Sequence, residues 1–413
     1  MHSPQHVLII GKVWPEPGSS AAGSRMMQLI DLFQKSEYEV TFASSASVSE
    51  YAVDLRKNGV EKAVIELNRA SFDRFIKKLQ PDIVIFDRFM TEEQFGWRVT
   101  EACPDAIRIL DTEDLHALRA ARQNAWKEGK EFKQRDLLSE EIAKREIASI
   151  YRCDLSLIIS EYEMSLLSDV FQIDNSLIYY LPFLLNSMDD DDFKNLPDFK
   201  ERSGFISIGN FLHEPNWNAV LWLKEEIWPL IRKKLPAAES QIYGAYPSQK
   251  VYQLHQPSDG FLVKGRAESS ADVLSKARVL LAPLRFGAGL KGKLVEAMQC
   301  GTPSVTTEIG AEGINGKYGW NGFIANDARS IAEKAVELYE KKTLWLKSRQ
   351  NGLKILKNRF DKTIFEQNLI DYLRELKQNL ANHREQNFIG NILNHHSVLS
   401  TKYMSKWIEE KNK

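Results

Sequence analysis

The chain has 413 residues, 43% of them hydrophobic and 27% charged, and a formal net charge of −1. That length and balance suit a folded protein of two ordinary domains, and the near-neutral charge excludes a global basic field for nucleic acid. No window approaches the ~20 consecutive apolar residues of a membrane-spanning helix, although contact with a membrane surface stays open.

The three cysteines, Cys103, Cys153 and Cys300, have no metal-ligand spacing and leave one unpaired. Reduced thiols and a cytoplasmic location are therefore expected. The first residues lack the basic start and cleavage pattern of a signal peptide.

From the N-terminus, Val7–Ile10 is a short apolar run suited to a strand buried on both faces. A loop rich in Gly, Ser and Pro follows over Gly11–Gly23, and Ser24 reads as the N-cap of the next helix. Val40–Ala43, Lys62–Leu67, Ile83–Phe86 and Ile107–Leu110 read as further strands, with helices over Phe72–Leu79 and Glu92–Ala102. This alternation predicts a parallel sheet covered on both faces, with ligands bound beyond the carboxyl ends of its strands.

Asp111-Thr-Glu-Asp-Leu-His116 stands at such an end. His116 could act as a base or bind a sugar, and Asp111, Glu113 and Asp114 could accept hydroxyl protons or orient it. Equally, Thr112 or Asp114 could simply cap the next helix. Ala117–Arg152 reads as a solvated helix pair broken near Glu128, and Leu155–Ile159 and Leu177–Leu181 as two more strands. The linker over 187–200 carries Asp189-Asp-Asp-Asp192, read as a solvated acidic loop and not as a metal site.

Phe205–Ile208 restarts the strand pattern, continued by Gln241–Tyr243, Phe261–Val263, Val279–Ala282, Ser304–Thr306 and Phe323–Ala325. Gly209, His213 and Asn216 precede a helix to Lys234 whose apolar side is Trp217, Val220, Leu221, Leu223, Ile227 and Leu230. Lys264 and Arg266 are basic at another strand mouth. Thr343–Lys357 and Lys362–Leu380 read as terminal helices, with a polar tail beyond them anchored by Trp407.

The most informative stretch is Arg278–Thr307. A strand there feeds a loop with Gly287 and Gly289, and a helix is predicted from Leu290 to Cys300. Unpaired N–H groups and the helix dipole make such a loop an anion site, and Lys291 and Lys293 add full charges. Glu296 lies off the apolar side of that helix, where it could accept hydrogen bonds from sugar hydroxyls or pair with Lys293. A phosphate at the loop and a diol at Glu296 describe a nucleotide or nucleotide-sugar. The spacing fits neither the Walker loop nor the dinucleotide fingerprint.

The run Glu296-Ala-Met-Gln-Cys-Gly-Thr-Pro303, behind Gly287-Ala-Gly-Leu-Lys-Gly-Lys293, resembles the donor-binding motif of GT-B glycosyltransferases of family four, the group 1 glycosyl transferases. Members usually carry two glutamates at fixed spacing. Glu296 matches the second, and Ala288 holds the position of the first, as in branches with a Gly-Ala-Gly-x-Lys-x-Lys loop.

The resemblance implies an α/β protein of two doubly wound Rossmann-like domains. The acceptor-side domain would span 1–186 and the donor-binding domain 201–360. A crossover helix over 361–380 would pack back on the first domain, leaving a tail over 381–413. The implied reaction is transfer of a sugar, with retention, from a nucleotide-diphosphate-sugar to a hydroxyl of a carbohydrate, lipid-linked or protein acceptor. Polysaccharide or glycoconjugate assembly would be its setting, without nucleic acid, cofactor or required metal.

On that reading Gly289, Leu290 and Lys291 hold the diphosphate beside Gly287 and Lys293, Glu296 binds the ribose, and His116 meets the sugar or acceptor. His116, Lys291 and Glu296 are the catalytic candidates. Gly209 and His213 approach the donor phosphates, and Lys264 and Arg266 flank the base. Ala22, Gly23 and Arg25, with Asp111 and Asp114, face the phosphates and the acceptor. The alternatives are a sugar phosphorylase or nucleotide-sugar epimerase of the same fold, or a non-catalytic partner subunit, which Ala288 favours.

Overall fold

The computed structural model describes residues 5–412, so expectations touching residues 1–4 and Lys413 lie outside the described residues. Within them, the first seven strands are β1 (His6–Gly11), β2 (Glu39–Ser44), β3 (Glu61–Val64), β4 (Ile83–Asp87), β5 (Ile107–Asp111), β6 (Leu155–Ile158) and β7 (Ile178–Tyr180). They form one sheet in the order β3-β2-β1-β4-β5-β6-β7. A second sheet, in the order β10-β9-β8-β11-β12-β13, contains β8 (Ser203–Ile208), β9 (Ser240–Tyr243), β10 (Phe261–Gly265), β11 (Ala277–Ala282), β12 (Ser304–Thr306) and β13 (Gly322–Ile324). All strand pairings are parallel. The expected two doubly wound domains are thus observed.

The pattern of β1 shows why its sequence reads as it does. Leu8 and Ile10 enter one helical layer, Val7 and Ile9 the other, and all four are 0% exposed. A strand covered on both faces has no solvent side on which to place polar residues. The strand order reverses at β1/β4 and at β8/β11. Loops leaving a switch point diverge to opposite faces and open a crevice at the carboxyl ends.

The chain passes between domains twice at one place. Leu185 N donates to Phe360 O at 2.8 Å, and Lys362 N donates to Leu185 O at 2.9 Å. In the first passage the acidic run is partly structural. The Asp189 carboxylate caps the short helix Asp190–Lys194, accepting from Asp191 N and Asp192 N at 2.9 and 2.7 Å.

After the second passage, helix Glu366–Gln378 buries Leu369, Ile370, Leu373 and Leu376 in the same core as Val7 and Ile9. Each such side chain stabilises by about 1.5–3 kcal/mol on full burial, so the C-terminal segment completes the first domain. The expected polar tail is instead two helices, Leu380–Gln386 and Phe388–Lys411. Arg384 clamps Asp154 at 2.7 and 2.8 Å, and Arg98 donates to Ser405 at 3.1 Å. The outward side of the last helix leaves Ile389, Ile392, Tyr403 and Trp407 exposed. No described helix is long and apolar enough to cross a membrane.

Two local expectations change. The helix predicted to start at Ser24 begins at Ala21, and Ser20 is its N-cap, accepting from Gly23 N at 3.0 Å. Ser24 instead donates to Pro17 O. The helix toward Lys234 contains a π turn over Leu223–Ile227, just before Pro229. One extra residue in a turn rotates all that follows. Trp228 therefore faces the core, and Leu230, expected inside, is 38% exposed.

Candidate active site

A cavity of about 1240 Å³ lies between the sheets, lined by loops that follow β1, β4 and β5 on one side and β8 and β11 on the other. The loop after β11 runs to the helix Gly292–Gln299, two residues later than predicted, so Leu290 and Lys291 belong to the loop. Lys291 Nζ donates to Gly289 O at 2.7 Å, and Lys293 Nζ to Asn216 Oδ1 at 2.8 Å. Both ammonium groups are desolvated. Burial brings Lys293 down to about 7. Burial likewise brings Lys291 down to about 8, against the pull of Glu312.

Glu296 does not pair with Lys293. It accepts from the Ser270 hydroxyl, and burial raises its pKa. It lines the cavity together with Gly287, Gly289, Leu290, Gly209 and His213.

The glycine loop presses on the first domain. Gly289 has φ +62°, and a Cβ there would stand 2.8 Å from Asp114 Cβ. Only glycine suits both that dihedral and that approach. Gly289 N donates to Glu163 Oε1 at 2.8 Å, and the same oxygen accepts from Leu115 N at 3.0 Å. Glu146 takes the next two amides, His116 N at 2.9 Å and Ala117 N at 3.0 Å. Helix His116–Lys127 thus starts without a side-chain cap of its own. Two carboxylates from distant helices satisfy the N–H groups that a helix start leaves open. Burial raises Glu163 to about 7 and Glu146 to about 8.

His116 lines the cavity with its ring edge-on to Phe89 and Nε2 3.4 Å from Asp114 Oδ1. Burial, only partly offset by Asp114, lowers it to about 3. It is a neutral imidazole at neutral pH and a weak base. Burial acts to raise Asp114, but Arg119 and His116 prevail and hold it at about 2. His213 is lowered to about 4, by burial first and Arg119 second. Glu113, at φ +62°, has Oε1 without a hydrogen bond among the described residues. Burial and then Asp111 keep its pKa well above the usual carboxylate range.

Other sequence candidates lie elsewhere. Arg25 and Asp111 are 1% and 0% exposed and pair at 2.9 Å beneath the cavity floor. Arg25 also donates to Leu181 O at 2.7 Å. This buried guanidinium is held by Asp111 and two backbone carbonyls and does not line the cavity. Gly23 packs against the backbone of Glu16, while Ala22 does line the cavity. Lys264 is exposed on β10, outside the cavity lining. Arg266 lines it, stacked 4.2 Å over Tyr51 from the opposite domain.

Sequence reading missed the contacts that join the domains. Arg122 reaches across to Glu312 at 2.9 and 2.7 Å and to Gly287 O at 2.9 Å. Tyr246 donates to Glu16 at 2.8 Å. The partners lie far apart in sequence, and no local pattern pairs them. The one local signal was the absence of a capping side chain at Leu115, which demands acceptors from elsewhere.

Two doubly wound domains facing each other across a cleft, with a glycine-lysine loop at its mouth, define the GT-B fold, and solved structures with that fold match nearly the whole chain. Anabaena HepE in complex with UDP and glucose matches 89% of this chain and 99% of its own, with a TM-score of 0.64 and 13% identity. Sucrose-phosphate synthase from Thermosynechococcus elongatus matches 90% and 99%, with a TM-score of 0.63 and 15% identity. WaaG, a glycosyltransferase involved in lipopolysaccharide biosynthesis, matches 89% and 98%, with a TM-score of 0.59 and 11% identity. No curated protein matches the sequence. Residues 202–341 match the family described as Glycosyl transferases group 1. The resemblance carried by the Pro283–Val305 motif is thereby shown for the domain that contains it.

Proposed function

We propose that this chain is a retaining glycosyltransferase that moves a sugar from a nucleotide-diphosphate-sugar to a hydroxyl acceptor. The carrying observation is the meeting of Gly289, Lys291 and Lys293 with Asp114 and His116 across one cavity. The loop can hold a diphosphate and stabilise the charge that develops as it departs. Glu296 stands where a ribose diol would reach it, and His116 where it would meet the sugar. Lys291 and Lys293 supply the neutralising charge, so the reading calls for no metal or other cofactor.

Retention is proposed from the resemblance of the donor loop to the group 1 family, with the departing phosphate oxygen taking the acceptor proton in place of His116, a poor acceptor, and of Asp114, engaged by Arg119. The UDP and glucose bound by HepE support a nucleotide-sugar donor. WaaG's role in lipopolysaccharide biosynthesis supports polysaccharide or glycoconjugate assembly. Ile392, Tyr403 and Trp407 on the last helix would suit a lipid-linked acceptor at a cytoplasmic membrane surface.

Incubation with a panel of nucleotide-sugars, with and without candidate acceptors, tests the reading. A transferase releases nucleoside diphosphate and forms an anomerically retained product. Conversion of the donor alone into its epimer, or turnover that requires inorganic phosphate, would replace it with the epimerase or phosphorylase. Binding also has a proton signature. Near pH 8 Lys293 is largely neutral and Lys291 about half so, and a diphosphate raises both pKa values. Calorimetry in buffers of different ionisation enthalpy should show uptake of about one proton per nucleoside diphosphate at pH 8, with affinity falling as pH rises from 7 to 9. Zero uptake would remove the lysines from the phosphate site.

A further inference from the structure

The donor loop brings its own cations, Lys291 and Lys293, yet the opposite floor of the cleft holds three more. Lys12 follows β1, Arg88 follows β4, and Arg119 lies in the helix after β5. They form one group, since Arg88 and Arg119 both depress Lys12, after burial.

Their engagement by the protein is uneven. Arg119 is neutralised by Asp114. Arg88 makes a side-chain bond only to Asp87 Oδ2, at 3.1 Å. Lys12 is exposed, and its ammonium makes no hydrogen bond or ion pair among the described residues. Of the acids nearby, Asp114 is engaged by Arg119 and Asp87 by Arg88 at 3.1 Å, which leaves the Lys12 ammonium without a carboxylate partner among the described residues.

The floor is also built with strain. Arg88 sits at φ +70° and Glu113 at φ +62°, and Arg88 N is tied to Asp111 O at 2.8 Å. Non-glycine residues in that region are uncommon and costly, and they gather at functional sites. The cations sit beside an apolar rim of Val13, Met90 and Ile142, with Val13 49% exposed.

Resting on the transferase reading, we propose that Lys12 and Arg88 form an acceptor subsite for an anionic group, a phosphate or carboxylate carried by the molecule that receives the sugar. A guanidinium and an ammonium on one strained floor match an oxyanion, and the rim accommodates an apolar extension. Such a group would place the accepting hydroxyl between His116 and the donor loop. The anion could belong to a free phosphorylated sugar or to a lipid headgroup.

The test titrates glucose 6-phosphate, glucuronate and glucose into the full-length protein, with and without saturating UDP. Vesicles of phosphatidylglycerol and of phosphatidylcholine are run in parallel. The wild type should bind at least one anionic probe tenfold more tightly than its neutral counterpart. Lys12→Ala and Arg88→Gln should each abolish that preference and leave UDP affinity within twofold. Preference for glucose 6-phosphate or glucuronate assigns a free acceptor, and preference for anionic vesicles a lipid one. Lys12→Ala changes an exposed side chain, so loss of folding does not confound it. Equal binding of charged and neutral probes, or a preference that survives Lys12→Ala and vanishes in Lys293→Ala, would overturn the subsite. Failure of UDP and every other nucleoside diphosphate to bind would count against the donor reading instead, because the anion titration without nucleotide still reads the floor.

Discussion

Lys293→Ala should lower kcat by about 10²–10³-fold, the loss typical when one preorganised donor to a developing negative charge is removed. Lys291→Ala should do the same. Neither is expected to act chiefly through KM, because the diphosphate gains charge as the sugar leaves, and an interaction stronger in the transition state appears in kcat. Steady-state and single-turnover rates on a competent donor–acceptor pair would measure it. A fall of less than threefold in both variants, with unchanged folding, would mean that the lysines only solvate the loop. Replacing Lys293 also releases Asn216, its present partner. Asn216→Ala is therefore the matching control, and it should cost much less.

The strands were legible because buried parallel strands are continuous apolar runs, and those of both sheets stand at or within a few residues of their expected positions. The glycine loop was legible because its chemistry is local: glycine, lysine and a helix start lie adjacent in sequence. Arg25 and Asp111 were misread for a physical reason. A charged residue at a strand's carboxyl end looks the same whether it meets a ligand or a partner 86 residues away. Lys264 was misread although its pattern was available. Phe261 and Val263 are buried and Lys264 is exposed, so the alternation of β10 itself turns that side chain outward. Glu146, Glu163 and the Arg122–Glu312 pair were beyond reach, because their roles arise only when separate elements pack.

Arg25→Met should destabilise the first domain by about 3–5 kcal/mol, since it leaves the Asp111 carboxylate charged and buried without its partner. Asp111→Leu should act similarly on the orphaned guanidinium. Each corresponds to a fall on the order of 10 °C in the first domain's melting temperature, readable by calorimetry. A ligand role for Arg25 would give the opposite outcome, a raised KM for donor or acceptor at unchanged melting temperature.

The double passage at Leu185 and Lys362 bears on how the chain is made. The first sheet leaves the ribosome before the second, and helix Glu366–Gln378, which shares a core with Val7, Ile9, Ile109 and Leu157, is synthesised only after both. The whole second domain comes between. At ~5–20 residues per second this is a wait on the order of ten seconds or more. Through that interval one side of the first sheet has helix Ala21–Lys35 but lacks the part of its cover that Glu366–Gln378 supplies. The nascent chain therefore presents an apolar patch for far longer than a protein whose domains are each contiguous, and its yield in a cell should depend on what shields that patch until the helix emerges.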